Sequence, residues 1–511
     1  MIFTIPASGG FVSDVEPHDL ADGQWSYVQN ARFRDGYAGK IGGHAALPVT
    51  APASTPLHVA FHQVEDKRYW IWSDADNTYA DDGTTQTNIT GTTLTGGATD
   101  RFTSCVIGGV YVQNNQIDVP SYWDGDTTSN LTALPDWDAN DRCKSIRSFK
   151  NYLIALNITK STTEYPHMVK WSHAAVPGSI PASWDATDAT KDAGERDLSE
   201  TTDHIVDGLA LGDSFIVYKE RSAYGLQYIG GNAIFRSYRL PGNYGALAQN
   251  CVAQTPLGHV VLANGPDVVL HNGGEPQSIL SGRVRDWLIG SFNGASTAGA
   301  FVVANMSKDE AWICIPTNGG NAANTALIWN WKNNTFTVRD LPAATAAAWG
   351  VANATLPDTW ATTSGGWESD TDRWDANVLS LAEEKLVIAA TNPNALYLMD
   401  QTTRFDGSDF QVTLERTGMA FGKQQSVKTL RGCFPRIDGT TGTELKFEYG
   451  AAMDVEGPYV WSDPITYTVG STYRADGFAS GRFLALRVRS NANGAWRLKS
   501  IDLDIVERGS Y

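Results

Sequence analysis

Seven pairs of short apolar or aromatic segments constrain the fold of this chain more than any other feature of its sequence. In each pair a polar turn separates the two segments, which is the pattern of antiparallel strands joined in a hairpin. The first segments are RYWIW (68–72), GVYVQ (109–113), NYLIAL (151–156), SFIVYK (214–219), HVVLAN (259–264), AWICI (311–315) and KLVIAA (385–390). The second segments are NTYA (77–80), SYWDG (121–125), HMVKW (167–171), AYGLQYI (223–229), DVVLHN (267–272), ALIWNW (326–331) and ALYLMD (395–400). The sequence therefore predicts seven β-hairpins.

The spacing of these hairpins predicts how they are assembled. Their first segments begin 41, 42, 63, 45, 52 and 74 residues apart, which fits one four-stranded blade repeated with insertions in some loops. A sheet of four strands cannot bury both faces alone, so the blades must pack side by side in a ring. The prediction is an all-β chain with a β-propeller of six or seven blades in residues 51–403. A stack of sandwich domains is the alternative, although each would need roughly 100 residues, about twice the repeat.

Residues 404–511 show a different pattern, in which longer runs alternate in polarity between Gly- and Asp-rich turns. In GRFLALRVRS, Leu484, Leu486 and Val488 share one face of the strand, so this face is predicted to lie in a core. Alternation of this length is typical of half-buried antiparallel strands. A C-terminal β-sandwich is therefore predicted for residues 404–511.

Two polar, Trp-containing segments, 174–203 and 350–380, interrupt the blade repeat. Loops of this length inside a compact domain are usually functional or disordered. We expect at least one of them to contact a neighbouring subunit or another protein. Four Trp-Asp pairs also occur, at 123–124, 137–138, 184–185 and 374–375, but their irregular spacing indicates loop residues and not the WD40 repeat.

The N-terminal segment, residues 1–50, contains a predicted hairpin. Ala31 and Phe33 point to one face of the first strand and Arg32 and Arg34 to the other, and Asp35-Gly36 is a favoured hairpin turn. Two interpretations of the arginines stay open. They are exposed charges that keep a strand edge from pairing, or they dock on a partner, since arginine is enriched at interfaces.

Charge and cysteine content exclude several classes of protein. The formal net charge is −17, which opposes general binding to nucleic acid. Residues 404–511 carry 14 Lys/Arg and 13 Asp/Glu, a net charge of +1, so residues 1–403 carry −18. The five cysteines are dispersed, which predicts buried free thiols and synthesis in a reducing cytoplasm. No secretory signal and no membrane insertion are predicted.

No residue pattern predicts a catalytic, cofactor or metal site. His58 and His62 lie four residues apart, but in a strand their side chains would be about 13 Å apart, too far for one metal ion. The acidic stretch SDADNTYADDG (73–83) lacks the Gly and Glu of a calcium loop, so a solvated turn is predicted. No cofactor is predicted, and the chain is predicted not to be an enzyme. Carboxylates and tryptophans keep a glycan-binding or glycan-hydrolysing propeller, including a receptor-binding tail tip, as the alternative.

Three parts of the sequence resemble tail proteins of short-tailed bacteriophages. They are the opening VEPHDLADGQWSYVQNARFRDGYAGKIGG (15–43), the hairpin ladder with ALIWNWKNNTFTVRDLP (326–342), and the closing GRFLALRVRSNANGAWRLKSIDLDIVERGSY (481–511). In that family an Asn-Ala/Val-Arg-Phe-x-Asp-Gly hairpin precedes a propeller. At the closing end, Arg487, Trp496, Arg497 and Gly509 match the pattern.

The resemblance implies a tail nozzle or hub in the virion tail, made in the host bacterial cytoplasm. Such a protein forms a hexameric ring around the DNA exit channel, below the portal and its adaptor, and takes part in genome retention and ejection. The implied partners are copies of itself, portal-adaptor proteins, tail fibre or needle proteins, and passing double-stranded DNA that is not bound in a sequence-specific way. The residues predicted to contact partners are Trp25, Asn30, Arg32, Arg34, Trp184, Trp360 and Trp367.

Overall fold

The computed structural model of the chain describes residues 1–64, 67–97, 99–352, 384–455 and 457–510. The N-terminal segment forms five short strands. They are β1 (Ile2–Pro6), β2 (Tyr27–Gln29), β3 (Ala31–Arg34), β4 (Tyr37–Lys40) and β5 (His44–Ala46). Strands β3 and β4 form the predicted hairpin, and its turn residues Asp35 and Gly36 both have positive φ, at 49° and 82°. Both central residues of a type I′ turn have positive φ, which is why Asp-Gly suits this turn.

Five antiparallel sheets of four strands follow, numbered here blades 1 to 5 in chain order. Blade 1 consists of β6 (His58–Val64), β7 (Lys67–Ser73), β8 (Thr78–Asp81) and β9 (Gln86–Asn88), and blade 2 of β10 (Thr103–Ile107), β11 (Val110–Asn114), β12 (Ser121–Trp123) and β13 (Thr132–Ala133). Blade 3 consists of β14 (Arg142–Phe149), β15 (Tyr152–Lys160), β16 (Thr163–Trp171) and β17 (Gly194–Asp197). Blade 4 consists of β18 (Ile205–Leu211), β19 (Ser214–Lys219), β20 (Ala223–Tyr228) and β21 (Phe235–Arg239), and blade 5 of β22 (Val252–Thr255), β23 (Gly258–Ala263), β24 (Asp267–His271) and β25 (Gln277–Ser278).

Blades 6 and 7 share one strand and therefore form one sheet of seven strands. Its strands are β26 (Phe301–Asn305), β27 (Glu310–Ile315), β28 (Ala323–Asn330), β29 (Thr335–Val351), β30 (Glu384–Thr391) and β31 (Asn394–Met399), followed in space by β5. The first part of β29 pairs with β28 as the outer strand of blade 6. Its second part, from Ala344 onward, pairs with β30 as the inner strand of blade 7. Strand β5 pairs with β31, so the N-terminal segment supplies the outer strand of blade 7.

The seven blades close into a ring, which confirms the predicted β-propeller. Each predicted hairpin forms the two middle strands of one blade. Separate apolar clusters join blade 1 to blade 2, blade 2 to blade 3, blade 3 to blade 4, and blade 4 to blade 5. A further cluster, which includes Val59 of blade 1 and Val387 of blade 7, joins the last blade to the first.

Beyond the propeller, the chain forms strands that complete two six-stranded sheets. These strands are β32 (Val412–Met419), β33 (Ser426–Gly439), β34 (Glu444–Ala452), β35 (Val460–Trp461), β36 (Ile465–Thr468), β37 (Ala475–Gly481), β38 (Phe483–Ser490) and β39 (Trp496–Ser510). One sheet has the order β3-β4-β39-β33-β37 with β1 also paired to β39, and the other has the order β2-β32-β38-β34-β35 with β36 also paired to β34. The Tyr449 hydroxyl of the second sheet donates a hydrogen bond to the Ala475 carbonyl of the first, at 2.7 Å. We refer to this pair of sheets as the two-sheet domain.

The domain limits in the structure differ from those predicted from the sequence. The prediction placed a sandwich in residues 404–511 alone, whereas β1 to β4 belong to the two-sheet domain and β5 belongs to the propeller. The physical reason is that β31, β32 and β39 each leave an edge that an N-terminal strand fills. Unpaired edges expose backbone hydrogen-bonding groups, and the N-terminal segment covers them. Trp123 also differs from its prediction as a loop residue, because it ends strand β12.

The N-terminal segment covers a further edge, the outer edge of blade 6. The amides of Phe11 and Asn30 donate to the carbonyls of Phe336 and Val338 in β29, at 2.9 and 2.8 Å. Helical structure in the described residues is confined to α1 (Arg285–Ser291) and the 3₁₀ turns Gly231–Ala233, Gly294–Gly299 and Met306–Lys308. None of these helices has the length and apolar character needed to span a membrane.

Candidate functional site

The first candidate site is a cavity of about 290 Å³ in the central channel of the propeller, where the inner strands of the blades meet. Its polar wall is built around Asp207 of blade 4. The Arg147 guanidinium of blade 3 donates to both oxygens of this carboxylate, at 2.6 and 3.0 Å. The Ser145 hydroxyl and the Asn250 backbone amide donate to it as well, at 2.6 and 2.9 Å. The cluster therefore links blades 3, 4 and 5.

The charges of this channel cluster are satisfied within the chain. Burial alone raises the pKa of Asp207, but Arg147 and the hydrogen bonds outweigh burial and lower it, so the carboxylate stays ionised. The Arg147 guanidinium also donates to the Asn250 side-chain oxygen at 2.8 Å, and the Asn250 side chain donates to the Phe102 carbonyl of the loop before blade 2 at 3.0 Å. The arrangement holds four blades together.

Hydrogen bonds between blades that are not neighbours cross one end of the channel. The Gln116 side chain of blade 2 donates to the Gln249 side chain at the start of blade 5, at 2.7 Å. Arg101, just before blade 2, donates to the Thr345 carbonyl of blade 7 at 2.9 Å. These bonds narrow the channel at this end.

The second candidate site is the contact between the propeller and the two-sheet domain, which we call the joint. It consists of Arg32 on β3, Glu310 on β27, Arg339 on β29 and Asp400 directly after β31. Arg32 donates to both oxygens of Glu310, at 2.6 and 3.0 Å, and to Asp400 at 2.8 Å. Arg339 donates to the other oxygen of Asp400 at 3.1 Å and lies 4.7 Å from the Trp312 ring. The joint thus ties the hairpin to blades 6 and 7.

The side chains of the joint are buried, and its charged groups shift the pKa values of Arg32 and Asp400. The side chains of Glu310 and Asp400 are only 1% and 5% exposed. Burial alone lowers the pKa of Arg32, but Asp400 and Glu310 outweigh burial and raise it above its usual value. Burial raises the pKa of Asp400, whereas Arg32 and Arg339 lower it below the usual range. Removing either partner would leave a buried charge without compensation.

Next to the joint lies a cleft of about 510 Å³ between the β3–β4 hairpin, the loop before β27, the end of β33 and the start of β39. Of the described residues that line it, five carry cationic side chains and one, Asp438, is acidic. The cationic residues are Arg32, Arg34, Lys40, Lys308 and Arg497. The Arg497 guanidinium lies 4.9 Å from the Tyr37 ring, and the Lys40 ammonium donates to the Ala492 carbonyl at 2.6 Å.

Three of the five cations in the cleft form no ion pair with the residues that the structure describes. Among the described residues, Lys40, Lys308 and Arg497 have no carboxylate within ion-pair distance, and Asp438 pairs with Lys499 instead, at 2.6 Å. Burial lowers the pKa of Lys40 to about 8, with Asp409 partly opposing the change. Trp496, which also lines the cleft, is 2% exposed, and its indole N–H has no acceptor within the described part of the chain. The unpaired cations give the cleft a positive character, which suits an anionic group.

The structure corrects the prediction of partner contacts at three residues, Trp25, Asn30 and Trp184, and it also shows the surroundings of Arg32. Trp25, Asn30 and Trp184 are each 1% exposed, and the Arg32 side chain is 12% exposed, so these side chains face the interior of the chain. The Trp25 indole donates to the Ala7 carbonyl at 2.8 Å, the Asn30 side chain donates to Asp340 at 2.8 Å, and Trp184 packs edge-on against Trp137. The interpretation of Arg32 as an exposed edge charge is therefore wrong, whereas its role as a partner contact stays a prediction, because it also lines the cleft.

The remaining predicted contacts have different outcomes. Arg34 is 25% exposed and lines the cleft, near Asp35 and Asp309 at 3.2 and 3.7 Å, so its role as a partner contact stays a prediction. Trp360 and Trp367 lie outside the described residues, as does the segment 350–380 beyond residue 352. The segment 174–203 forms most of the connection between β16 and β17 and continues past β17, so it lies at the outer side of blade 3.

Glu310, Arg339 and Asp400 were not predicted from the sequence as functional residues. A signal existed, because Glu310 and Arg339 are charged residues within strands whose neighbouring residues are buried. A buried charge requires a partner. However, the sequence could not tell which of the distant charged residues would meet, because Arg32 and Asp400 are 368 positions apart.

The two histidines considered as metal ligands are buried in blade 1 instead. His58 is stacked on Phe102, and His62 lies 5.9 Å from both Tyr111 and Trp123. Burial lowers the pKa of His58 to about 3 and that of His62 to about 4. Within the ranges that the structure describes, no group of three or more His, Cys, Asp or Glu side chains could hold a metal ion.

We expect the free energy of unfolding to fall as the pH falls from about 6.5 to about 4. In this range the histidines of the unfolded chain take up protons, whereas His62 in the folded chain stays neutral, so protons favour unfolding. The substitution His62→Phe removes one such group, and its nitrogens have no hydrogen-bond partner among the described residues. The variant should lose about 2–3 kcal/mol less stability than the wild type between pH 7 and pH 4. Urea denaturation of both proteins at several pH values measures this difference, and equal pH dependence would contradict the prediction.

Comparison with known proteins adds information on the fold. No protein-family model matches the chain, and no curated protein matches it. Among solved structures, it is similar to the WD40 β-propeller domain of Doa1, with 11% identity, a TM-score of 0.38, and coverage of 70% of this chain and 97% of that domain. It is also similar to the β-propeller domain of Cps50 (Swd1) from Myceliophteria thermophila, with 7% identity, a TM-score of 0.41, and coverage of 71% and 100%. At these identities the similarity concerns the propeller fold alone.

Proposed function

We propose that this chain is a structural protein of the virion tail of a short-tailed bacteriophage. It serves as a nozzle or hub subunit in a ring around the DNA exit channel. The observation that carries the proposal is that the opening and closing parts of the sequence, which bear the resemblance to this family, meet in space. Arg497 on β39 pairs with Gly39 on β4 of the N-terminal hairpin, and Trp496 lines the cleft with Arg34 of that hairpin.

The contacts of the motif residues are those expected in a structural subunit, because they fix parts of the chain against each other. Asn30 and Arg32 of the Asn-Ala-Arg-Phe motif bond to the propeller from the two-sheet domain, to Asp340 and Glu310 respectively. Arg487 of the closing motif donates to Glu415 of β32 at 2.6 Å, and β32 pairs with β2. Asn30 and Arg32 therefore fix the two-sheet domain against the propeller, and Arg487 fixes strands within the two-sheet domain. A ring subunit needs such a fixed arrangement to repeat the same contacts.

The charge of the chain supports passage of DNA without binding. Residues 1–403 carry a net charge of −18, and carboxylates facing a conduit repel the phosphate backbone. DNA can then move through the ring without binding to it through non-specific electrostatic attraction. In this proposal the conduit is enclosed by several subunits, because hydrogen bonds cross the channel within one propeller.

Immunogold electron microscopy tests the proposal. An antibody against the recombinant protein is applied to phage particles from a lysate of the source. We expect label on the tail axis, at the distal end of a short tail. Label on peripheral fibres would instead indicate a receptor-binding protein, and particles without label would contradict a role in the virion.

A further inference from the structure

We propose that the cleft binds the acidic outer loop of blade 3 in a second copy of this chain, so that the copies assemble head to tail. The acidic loop is defined here as residues 185–203. This inference rests on the proposed function, because it names the contact that would build the ring. It concerns the cleft lined by Arg34, Lys40, Lys308 and Arg497 and does not involve the buried joint.

The first argument is charge complementarity. Residues 185–203, which include strand β17, contain seven Asp/Glu and two Lys/Arg, a net charge of −5. Glu195 and Asp203 pair within the chain with Lys160 and Lys219, at 2.7 and 3.4 Å, so the other carboxylates are the ones available to a partner. Hydrogen bonds from the Thr187 side chain and backbone lower the pKa of Asp185, and Thr190 lowers that of Asp188 in the same way. Both carboxylates therefore stay ionised in the loop. The cleft presents cations that have no carboxylate partner among the described residues, which suits such a loop.

The second argument is the position of the two surfaces on the ring. The cleft lies beside blade 6, where Lys308 precedes β27, and the acidic loop lies on blade 3. In a ring of seven blades, blade 3 is three blades from blade 6 on one side and four on the other. The two surfaces therefore lie on opposite sides of the propeller. A contact between two different surfaces of one chain is heterologous, and such contacts close into rings when the rotation permits.

The third argument is that the cleft suits a loop better than a nucleic-acid duplex. Proteins that bind duplex DNA through phosphates commonly make about 6–10 such contacts along an extended basic surface. The cleft is a local depression of about 510 Å³, and Asp35, Asp309 and Asp438 lie at or near it. Because these carboxylates interrupt the positive surface, the cleft offers separate cations and not the continuous basic row that a duplex needs. An Asp-bearing loop can place single carboxylates beside Lys308 and Arg497.

Sedimentation velocity of the purified full chain tests the inference at about 100 μM protein and about 50 mM salt, where exposed charges are weakly screened. We expect the wild type to form assemblies larger than a dimer. The double variant Lys308→Glu, Arg497→Glu should associate at least about tenfold more weakly, because like charges then face each other. Lys332→Glu is the matched control, since Lys332 is an exposed lysine of blade 6 outside the cleft, and it should assemble as the wild type does. Circular dichroism checks that all variants are folded.

A mixing experiment tests the head-to-tail geometry directly. The loop variant Asp185→Asn, Asp188→Asn keeps an intact cleft, and the cleft variant keeps an intact loop. Each variant alone should associate at least about tenfold more weakly than the wild type. An equal mixture should form dimers that contain one copy of each, because only one intact cleft and one intact loop can meet. A mixture that remains monomeric would overturn the inference, as would a wild type that is monomeric under these conditions.

Two further outcomes separate this inference from its alternatives. If the cleft substitutions abolish binding of a duplex DNA oligonucleotide but leave self-association intact, the cleft binds nucleic acid and the inference is wrong. If immunogold label lies on the tail axis and the cleft variant still forms rings, the proposed function stands and the inference fails. If the mixing experiment succeeds but no particle is labelled, the contact stands and the proposed function fails.

Discussion

Replacing Arg32 with alanine is expected to lower the free energy of unfolding by about 3–5 kcal/mol. The substitution leaves Glu310 buried with the Trp312 indole as its remaining side-chain donor, at 3.0 Å, and leaves Asp400 to Arg339 and Asn305. Removing one partner of a buried ion pair costs this much because the remaining charge keeps its desolvation penalty without the attraction that offset it. Urea denaturation, followed by tryptophan fluorescence, measures the change.

Arg34→Ala provides a matched control on the same strand. Arg34 is the same residue type, two positions later, but its side chain is 25% exposed and its nearest carboxylate is 3.2 Å away. Exposed pairs of this kind contribute about 0–1 kcal/mol, so the control should lose less than about 1 kcal/mol. Equal losses in the two variants would show that burial of the joint does not determine its contribution.

Deleting residues 1–46 is expected to abolish cooperative folding of the rest of the chain. The deletion removes the apolar side chains that the N-terminal segment buries, including Phe11, Trp25, Val28 and Phe33, each at most 2% exposed. Burying one such side chain contributes about 1.5–3 kcal/mol, so these four contribute about 6–12 kcal/mol, against a typical total stability of about 5–15 kcal/mol. Differential scanning calorimetry and solubility of residues 47–511 measure the effect.

A cleaved chain is the control for this deletion. Thr50 and Ala51 are exposed between β5 and β6, so a protease site inserted there allows the purified protein to be cut. The two fragments should stay associated and unfold close to the melting temperature of the uncut protein, because the strand pairing does not need this peptide bond. If the truncated chain unfolds cooperatively at the wild-type temperature, the N-terminal segment is not an integral part of the fold.

The strands of the propeller could be predicted from the sequence because their signal is local. Segments such as SFIVYK and HVVLAN are continuous apolar runs, and the structure shows them as fully or nearly fully buried middle strands of their blades. The hairpin at Asp35-Gly36 was predictable for the same reason, since its turn chemistry lies within two residues. Local pattern therefore determined the elements and the type of fold.

The arrangement at the two ends of the chain could not be predicted in this way. Nothing in residues 44–46 indicates that they pair with residues 397–399. A strand at the edge of a sheet can pair with any free strand, so its own sequence does not specify the partner. The number of blades stayed open for a related reason, since β29 serves two blades as one uninterrupted strand. Arg32 was placed on the correct face of its strand, but whether that face meets solvent or Glu310 depends on a contact between residues 278 positions apart.

The pairing of the first strands with the last has a consequence for synthesis in the cell. Strands β1 to β5 are translated first, but their partners β31, β32 and β39 leave the ribosome near the end. A nascent chain therefore carries its N-terminal strands unpaired until translation is nearly complete, and unpaired strand edges of this kind are prone to aggregation. A chain whose translation stops early lacks the partners of these strands, so a prematurely terminated product cannot complete the native sheets.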